Sequence, residues 1–160
     1  MLETIGNSAY ADWVRESWGW PIALTIHAFG TATVVGLTFI IGLRLLGVFR
    51  SIPYKSLNWL FPIIWTAIVF QVLSGFTLWT TKPDKYLGEW VFDIKITSVI
   101  IGIFVTAFFQ RTVRREADAW QAAGTVSSRA VVFVAVTVVL WTVVNVAGRL
   151  TAYLGTLYIA

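Results

Sequence analysis

Residues 21–46 read PIALTIHAFGTATVVGLTFIIGLRLL, and only His27 and Arg44 carry ionisable groups in this run. A helix needs about 20 consecutive apolar residues to cross the hydrocarbon core of a bilayer. The run is therefore typical of a transmembrane helix. A strand of a membrane barrel is disfavoured, because such strands are short and alternate between apolar and polar residues.

Three further stretches of the same kind follow, over residues 57–79, 87–109 and 129–154. Of the 160 residues in the chain, 58% are apolar and 12% are charged, whereas a soluble domain is usually about 45–50% apolar and about 25% charged. We therefore predict an all-α fold, in which residues 1–160 form a single integral membrane domain built as a four-transmembrane-helix bundle.

A short amphipathic helix is predicted before the first span, over residues 8–18. Asn7 or Ser8 would cap it. Trp13 would lie in the membrane interface while Asp12 faces water, as in helices that rest on a bilayer surface. This N-terminal segment is thus expected to lie on the membrane and not to cross it.

The basic residues indicate how the bundle is oriented. Seven of the 12 lie in or beside the first and third loops between spans: Arg44, Arg50, Lys55, Arg111, Arg114, Arg115 and Arg129. Because basic residues collect on the cytoplasmic side of a membrane, both termini are expected on the opposite, outer side. This placement accounts for the formal net charge of +4, and a nucleic-acid partner is not expected.

Four tryptophans are expected to serve two different purposes. Trp59 and Trp120 fall near the cytoplasmic ends of spans, where aromatic side chains form a belt at the interface. Trp65 and Trp141 fall in the middle of spans, and we expect them to pack between helices.

The polar residues inside the spans require an explanation, since ionisable groups within lipid are costly and usually face a bundle interior or a partner. His27 lies about two turns inside the first span, and Lys95 lies in the opening turns of the third. Asn145 and Arg149 lie late in the fourth span, which runs in the opposite direction. All four residues are therefore expected at one level in the outer half of the bundle.

Neighbouring small and polar residues extend this level into a pocket. Gly30 and Thr31 lie on the same helical stripe as His27, and Gly30 would let a helix or a flat ligand approach. On the second span, Ser74 shares a stripe with Gln71. The predicted cofactor-binding residues are His27, Gly30, Thr31, Ser74, Lys95, Asn145 and Arg149.

An imidazole beside two cations suits a b-type haem, whose iron takes an axial histidine. His27 would be that ligand, and Lys95 and Arg149 would hold the propionates. Thr31 is a weak candidate for the hydrogen bond that fixes the second imidazole nitrogen. The chain has one histidine, one methionine and no cysteine, so the iron would be five-coordinate, or would take water, an unusual ligand or a side chain of another subunit.

Each of these residues also has an interpretation without a cofactor. His27 could instead bond a backbone carbonyl or a facing helix. Asp93 and Arg149 could form a structural ion pair, and Lys95 could extend to the outer headgroups. Arg44 lies near the inner surface, where a structural role or contact with a lipid phosphate is favoured over any part in the pocket.

Several segments of the first three spans resemble a family of uncharacterised bacterial four-helix integral membrane proteins. They are His27, Gly36-Leu37, Gly42–Gly47, Phe61-Pro62, Ser74-Gly75 and Phe92–Lys95. The resemblance covers about residues 20–110. Together with the basic residues, it implies the inner (cytoplasmic) membrane of a bacterium, with both termini in the periplasm.

More distantly, the chain is similar to the haem-containing membrane protoporphyrinogen oxidases and to copper-resistance-D-type membrane domains. In those oxidases a histidine of the first helix and a lysine of the third serve haem and activity, which implies such roles for His27 and Lys95. Arg44 resembles the basic residue that ends their first helix. The spacing between histidine and arginine differs here and flanking aromatic signatures are missing, so the resemblance implies a haem site and not the oxidase activity.

Two functions follow from these observations. The first is a redox protein that holds haem b, or a quinone, in the outer half of the bundle and transfers electrons. The alternative is a non-catalytic accessory subunit of a larger membrane complex, or a homo-oligomer. The small size, the absence of a catalytic motif and the nine tryptophans favour this alternative.

Overall fold

The computed structural model describes the backbone of residues 2–157 and the side chains as far as Thr151. Position 1 and residues 158–160 of the predicted domain lie outside the described residues. Within the described range the chain is helical and has no strand, and four helices are long and apolar enough to cross a membrane. The prediction of an all-α bundle of four membrane-spanning helices is confirmed, and the chain is a multi-pass membrane protein.

The described chain forms seven α-helices and one 3-10 helix. In order they are α1 (Leu2–Gly6), α2 (Ala9–Glu16), α3 (Gly19–Leu45), the 3-10 helix (Tyr54–Trp59), α4 (Leu60–Thr80), α5 (Pro83–Tyr86), α6 (Trp90–Ala123) and α7 (Ser128–Leu157). The spanning helices are α3, α4, α6 and α7, and the 3-10 helix leads directly into α4. We call the end where α3 and α6 begin the N-terminal end, and the opposite end, which carries Arg44, Arg111 and Arg129, the arginine-rich end.

The packing of the spanning helices differs between the two halves of the bundle. α3 packs against α4 and α7, and α6 packs against α7 and the 3-10 helix. The largest fully buried side chains lie in the middle and toward the arginine-rich end: Trp141, Phe61, Phe109, Ile41, Leu57 and Ile64. Toward the N-terminal end many of the buried positions are small or polar, and the apolar ones among them are valines: Ala23, Gly30, Gln71, Ser74, Ser98 and Ala147, with Val14, Val91 and Val144. The apolar core is therefore dense in one half and sparse in the other.

Both tryptophans that were predicted to pack between helices, Trp65 and Trp141, do so. The Trp65 indole N–H donates to Gln110 Oε1 at 2.8 Å. The Trp141 indole N–H donates to Thr106 Oγ1 at 3.1 Å, and the Trp141 side chain is buried. Each indole thus joins two helices through a hydrogen bond that lipid cannot supply.

The prediction that Trp120 belongs to an aromatic belt at the membrane interface is wrong. Its side chain is 3% exposed and meets the Tyr54 ring edge to face, with 5.8 Å between ring centroids. The reason is that α6 does not end near residue 109 but continues to Ala123. This extension packs against the 3-10 helix and carries Trp120 into the core.

The extension of α6 ends at a glycine in a left-handed conformation. Gly124 has a φ of +67°, and its N–H donates to the Trp120 carbonyl at 2.9 Å. Such a residue is a frequent helix terminator, since glycine adopts positive φ without steric cost. The apolar run ends near residue 109, but nothing that stops a helix occurs before Gly124.

The N-terminal amphipathic helix is present as α2, with Ser8 as its cap. Ser8 Oγ accepts a hydrogen bond from the Ala11 N–H at 3.2 Å. The helix is fastened to the N-terminal end of the bundle, because the Tyr10 hydroxyl lies 3.0 Å from Thr77 Oγ1 and Arg15 Nη1 donates to the Thr81 carbonyl at 2.7 Å. Thus α2 packs on the end of α4.

The contact between α3 and α4 depends on Gly30, and substitution tests this. A Cβ at Gly30 would lie 3.1 Å from the Ala67 carbonyl oxygen, so Gly30→Ala forces the two backbones apart. We expect it to lower the free energy of unfolding by about 1–3 kcal/mol, as overpacking does. Thermal unfolding of the detergent-purified protein measures the loss.

Gly36→Ala is the matched control, because no atom lies within 4 Å of a Cβ built there. It should be neutral or stabilising by up to about 1 kcal/mol through helix propensity. Equal unfolding midpoints for the two variants would contradict the assigned contact.

Candidate functional site

A cavity of about 530 Å³ lies among α3, α4, α6 and α7 in the half of the bundle toward the N-terminal end. Each of the four helices contributes a polar residue to its wall. The lining residues are Leu24, Thr25, His27, Ala28, Thr31, Ala32, Gln71, Lys95, Val144, Asn145, Gly148 and Arg149. The cavity forms where small residues such as Ala28, Ala32 and Gly148 take the place of the bulky side chains that fill the other half.

Five of the seven predicted pocket residues line this cavity: His27, Thr31, Lys95, Asn145 and Arg149. They meet because α3 and α6 begin at the end of the bundle toward which α7 runs. Gln71 also lines the cavity, although it was not among the predicted binding residues. Its position on the stripe of Ser74 was the available signal.

Gly30 and Ser74 were predicted to bind the cofactor but do not line the cavity; they contact residues that do. Gly30 permits the close approach of α3 and α4 described above. The buried Ser74 hydroxyl donates to the Phe70 carbonyl at 2.6 Å, and its oxygen lies 3.1 Å from His27 Nδ1. Both residues therefore support His27 and its helix but do not face a ligand in the cavity.

The His27 imidazole is held by α4. Its Nδ1 lies 3.1 Å from the backbone carbonyl oxygen of Gln71. A carbonyl oxygen can only accept, so this hydrogen bond assigns the ring proton to Nδ1 and leaves Nε2 with a free lone pair. Within the described part of the chain, Nε2 makes no hydrogen bond.

Thr31 is not the partner of the imidazole. Its hydroxyl donates to the His27 backbone carbonyl at 2.9 Å, one turn back along α3. A hydrogen bond from His27 to a backbone carbonyl was one of the alternatives expected from the sequence, and it is present. It does not prevent His27 from also binding a metal. Metal-bound histidines commonly donate their second ring nitrogen in this way.

Glycine at position 75 makes room for the ring. A Cβ built there would lie 3.0 Å from His27 Cε1 and 3.4 Å from His27 Nδ1. Gly148 lies beside Lys95, but a Cβ there would be 3.6 Å from the Lys95 Nζ, which is an ordinary van der Waals contact. The missing side chain on α4 is therefore the one that makes room for the imidazole.

The cavity carries positive charge without a compensating carboxylate. Lys95 and Arg149 line it, and no acidic residue of the described chain does. The ion pairs among the described residues are Arg15–Asp12 and Lys55–Asp118, so the ion pair considered between Asp93 and Arg149 is not formed. The site is therefore suited to an anionic or electron-rich ligand.

Gln71 supplies a second sign that the cavity suits a ligand. The residue is 5% exposed, and its side-chain Oε1 is buried without a hydrogen-bond partner among the described residues. Leaving such a group unpaired costs about 1–3 kcal/mol. The amide is thus available to bind a group that enters the cavity.

Protein side chains alone do not form a metal centre in the described part of the chain. No group of three or more histidine, cysteine, aspartate or glutamate residues occurs there. The comparisons with protein-family models, with curated proteins and with solved structures gave no match to this chain. The chemistry of the cavity residues is therefore the basis for assigning a function.

The cavity should be reachable by water-soluble reagents, and the cysteine-free chain allows a direct test. Asn145→Cys places a thiol on the cavity wall, where hydration permits the reactive thiolate. We expect it to react with a charged methanethiosulfonate reagent on the order of tenfold or more faster than Val146→Cys. Mass spectrometry of the detergent-solubilised protein measures both rates.

Val146→Cys is the matched control, because Val146 is adjacent in sequence and 53% exposed but does not line the cavity. Thr137→Cys provides a buried reference, since Thr137 is 0% exposed. Indistinguishable labelling at positions 145 and 146 would contradict a hydrated cavity.

Proposed function

We propose that the protein is a membrane redox component that binds b-type haem in the cavity described above. The observation that carries the proposal is the His27 imidazole, whose Nδ1 donates to the Gln71 carbonyl while Nε2 makes no hydrogen bond among the described residues, in a cavity that Lys95 and Arg149 also line. A neutral, oriented imidazole is the axial ligand that a haem iron requires. A bound haem would supply one-electron transfer.

The charges of the cavity support this assignment. Arginine and lysine side chains form strong charge-assisted hydrogen bonds with carboxylates. Lys95 and Arg149 would hold the haem propionates, and they compete with no acidic residue of the cavity wall. A volume of about 530 Å³ lies within the range of about 300–1,000 Å³ that is typical of cofactor sites.

The histidine content limits how the iron is bound. His27 is the only histidine, Met1 the only methionine, and there is no cysteine. One copy of the chain therefore offers a single strong axial ligand. A haem iron held by His27 would be five-coordinate, or would take its other ligand from water, an unusual ligand or a side chain of another subunit.

We further propose that the protein resides in the inner membrane of a bacterium, with the cavity in the periplasmic half and both termini in the periplasm. Seven of the 12 basic residues support this orientation, because they lie at the arginine-rich end and basic residues collect on the cytoplasmic side. Electrons would then be exchanged near the periplasmic surface.

A quinone is the second candidate ligand, and Gln71 favours it. Its unpaired Oε1 could accept a hydrogen bond from a hydroxyl group of the reduced quinol, and the Lys95 ammonium could donate to an oxygen of the quinone or quinol. Neither contact needs the free Nε2 of His27. Binding that depends on Gln71 and not on His27 would therefore indicate a quinone in place of haem.

An accessory role in a larger complex or in a homo-oligomer is the alternative function. The exposed aromatic residues at the N-terminal end favour it, because Trp18 is 78% exposed, Trp90 63% and Trp13 58%. Tryptophan is enriched where proteins contact one another. Such a role is compatible with haem, since the second axial ligand could come from the partner.

Haem binding is tested by the absorption spectrum of the protein purified in mild detergent from haem-supplemented cells. We expect a Soret band that His27→Ala abolishes and that imidazole added to the variant restores. Lys95→Gln and Arg149→Gln should keep the band but raise the dissociation constant for haem about tenfold, as the loss of one charge-assisted hydrogen bond implies.

Lys85→Gln is the control for charge, because Lys85 lies in α5 at the same end, is exposed and does not line the cavity. A colourless protein that also fails to bind added haem through His27 would overturn the haem proposal. Stabilisation by a short-chain quinol that is lost in Gln71→Leu would then assign the cavity to a quinone in its reduced form.

A further inference from the structure

A second polar cavity lies at the arginine-rich end, where α3 ends. Its volume is about 360 Å³, and its wall includes Arg44, Arg50, Tyr54 and Gln121. It is separate from the cavity of His27, with which it shares no lining residue. Whatever it binds is therefore independent of the proposed haem.

Arg44 is a buried cation without an acidic partner. The side chain is 4% exposed, and its guanidinium lies over the Tyr54 ring at 3.8 Å from the centroid. Its Nε donates to the Ile52 carbonyl, and Nη2 lies 3.5 Å from the Arg50 carbonyl. Nη1 makes no hydrogen bond within the described chain, although buried charges are normally paired.

Two further donors face the same cavity. Arg50 Nε donates to the Gly47 carbonyl at 3.1 Å, which fixes its guanidinium at the rim. Gln121 Oε1 accepts from the Tyr54 N–H at 3.2 Å, so its amide nitrogen remains free to donate. Arg44, Arg50 and Gln121 thus combine two positive charges with unpaired N–H groups.

The nearby carboxylates are engaged elsewhere. Glu116 accepts hydrogen bonds from the Trp120 indole at 3.2 Å and from Ser127 Oγ at 2.6 Å. Asp118 pairs with Lys55 at 3.5 Å. Neither acid lines the cavity, so an external anion is the remaining partner for Arg44 and Arg50.

The loop beside these cations is apolar and exposed, which points to a lipid in preference to a free ion. Gly47 has a φ of +89° and reverses the chain after α3. Leu46 is then 67% exposed, Phe49 49% and Val48 43%. Acyl chains could cover these side chains while a phosphate group reaches Arg44 and Arg50.

We propose that this cavity binds the phosphate headgroup of an anionic phospholipid. Arg44 and Arg50 contact the phosphate oxygens, and Gln121 donates to the headgroup. Planar guanidinium groups suit phosphate because they donate two parallel hydrogen bonds. Basic pockets at the cytoplasmic ends of transmembrane helices bind anionic headgroups in this way.

The test is thermal unfolding of the whole chain in neutral detergent with added lipid. We expect phosphatidylglycerol to raise the unfolding midpoint, and phosphatidylcholine or inorganic phosphate to leave it unchanged. Arg50→Gln should raise the half-saturating mole fraction of phosphatidylglycerol roughly tenfold. Native mass spectrometry should show one retained phosphatidylglycerol on the unmodified chain and none on the variant.

Arg114→Gln is the matched control, because Arg114 is exposed on α6 at the same end and does not line the cavity. Arg44→Gln should also weaken binding, but it removes the stacking of the guanidinium on Tyr54 as well, so Arg50→Gln is the decisive variant. Equal responses of Arg50→Gln and Arg114→Gln overturn the site. Stabilisation by phosphatidylcholine to the same degree, or by phosphate alone, overturns the assignment to an anionic lipid.

Discussion

The hydrocarbon interior of a bilayer offers no water to polar groups, and this shortage governs which side chains the spans can carry. Most hydroxyl groups within the spans replace the missing hydrogen bond to water by donating to the backbone carbonyl one turn back: Thr31, Thr66, Ser74, Thr77, Thr112, Thr137, Thr142 and Thr151. The indole N–H groups of Trp65 and Trp141 instead donate to side chains of a neighbouring helix. Against this background the buried, unpaired Oε1 of Gln71 stands out, and Gln71 lines the cavity that contains His27.

The sparse half of the bundle is where the spans lack bulk. Gly30 permits the close approach of α3 and α4, Gly75 leaves space for the imidazole, and Gly148 lies in the cavity wall beside Lys95. Larger residues at these places would seal the interior, as Phe61 and Phe109 do in the other half by packing edge to face. The same small residues that weaken the apolar core thus create the space for a ligand.

Hydropathy predicted the four spans. Residue counting then predicted the common level of His27, Lys95 and Arg149, because depth in the membrane depends only on the rise per residue and on the alternating direction of the spans. Neither predicted the end of α6, since apolar composition stops near residue 109 while the helix continues to Ala123. Trp120 was misplaced for that reason. A backbone carbonyl was among the partners left open for His27, but Gln71 was not identified as its source, because this contact depends on how α4 is rotated, which its apolar composition does not specify.

The two cavities have similar charges, but of the two only the one lined by His27 offers an imidazole that could bind the iron of a cofactor. Lys95 and Arg149 at one end, and Arg44 and Arg50 at the other, all line cavities in which the described chain supplies no acid. A lipid phosphate could satisfy either pair by charge alone. The two cavities differ in the imidazole of His27. Its hydrogen bond to the Gln71 carbonyl leaves the lone pair on Nε2, which can bind a metal but does not help to bind an anionic headgroup. The position of His27 is therefore what favours the proposed redox role of this cavity over a second lipid site.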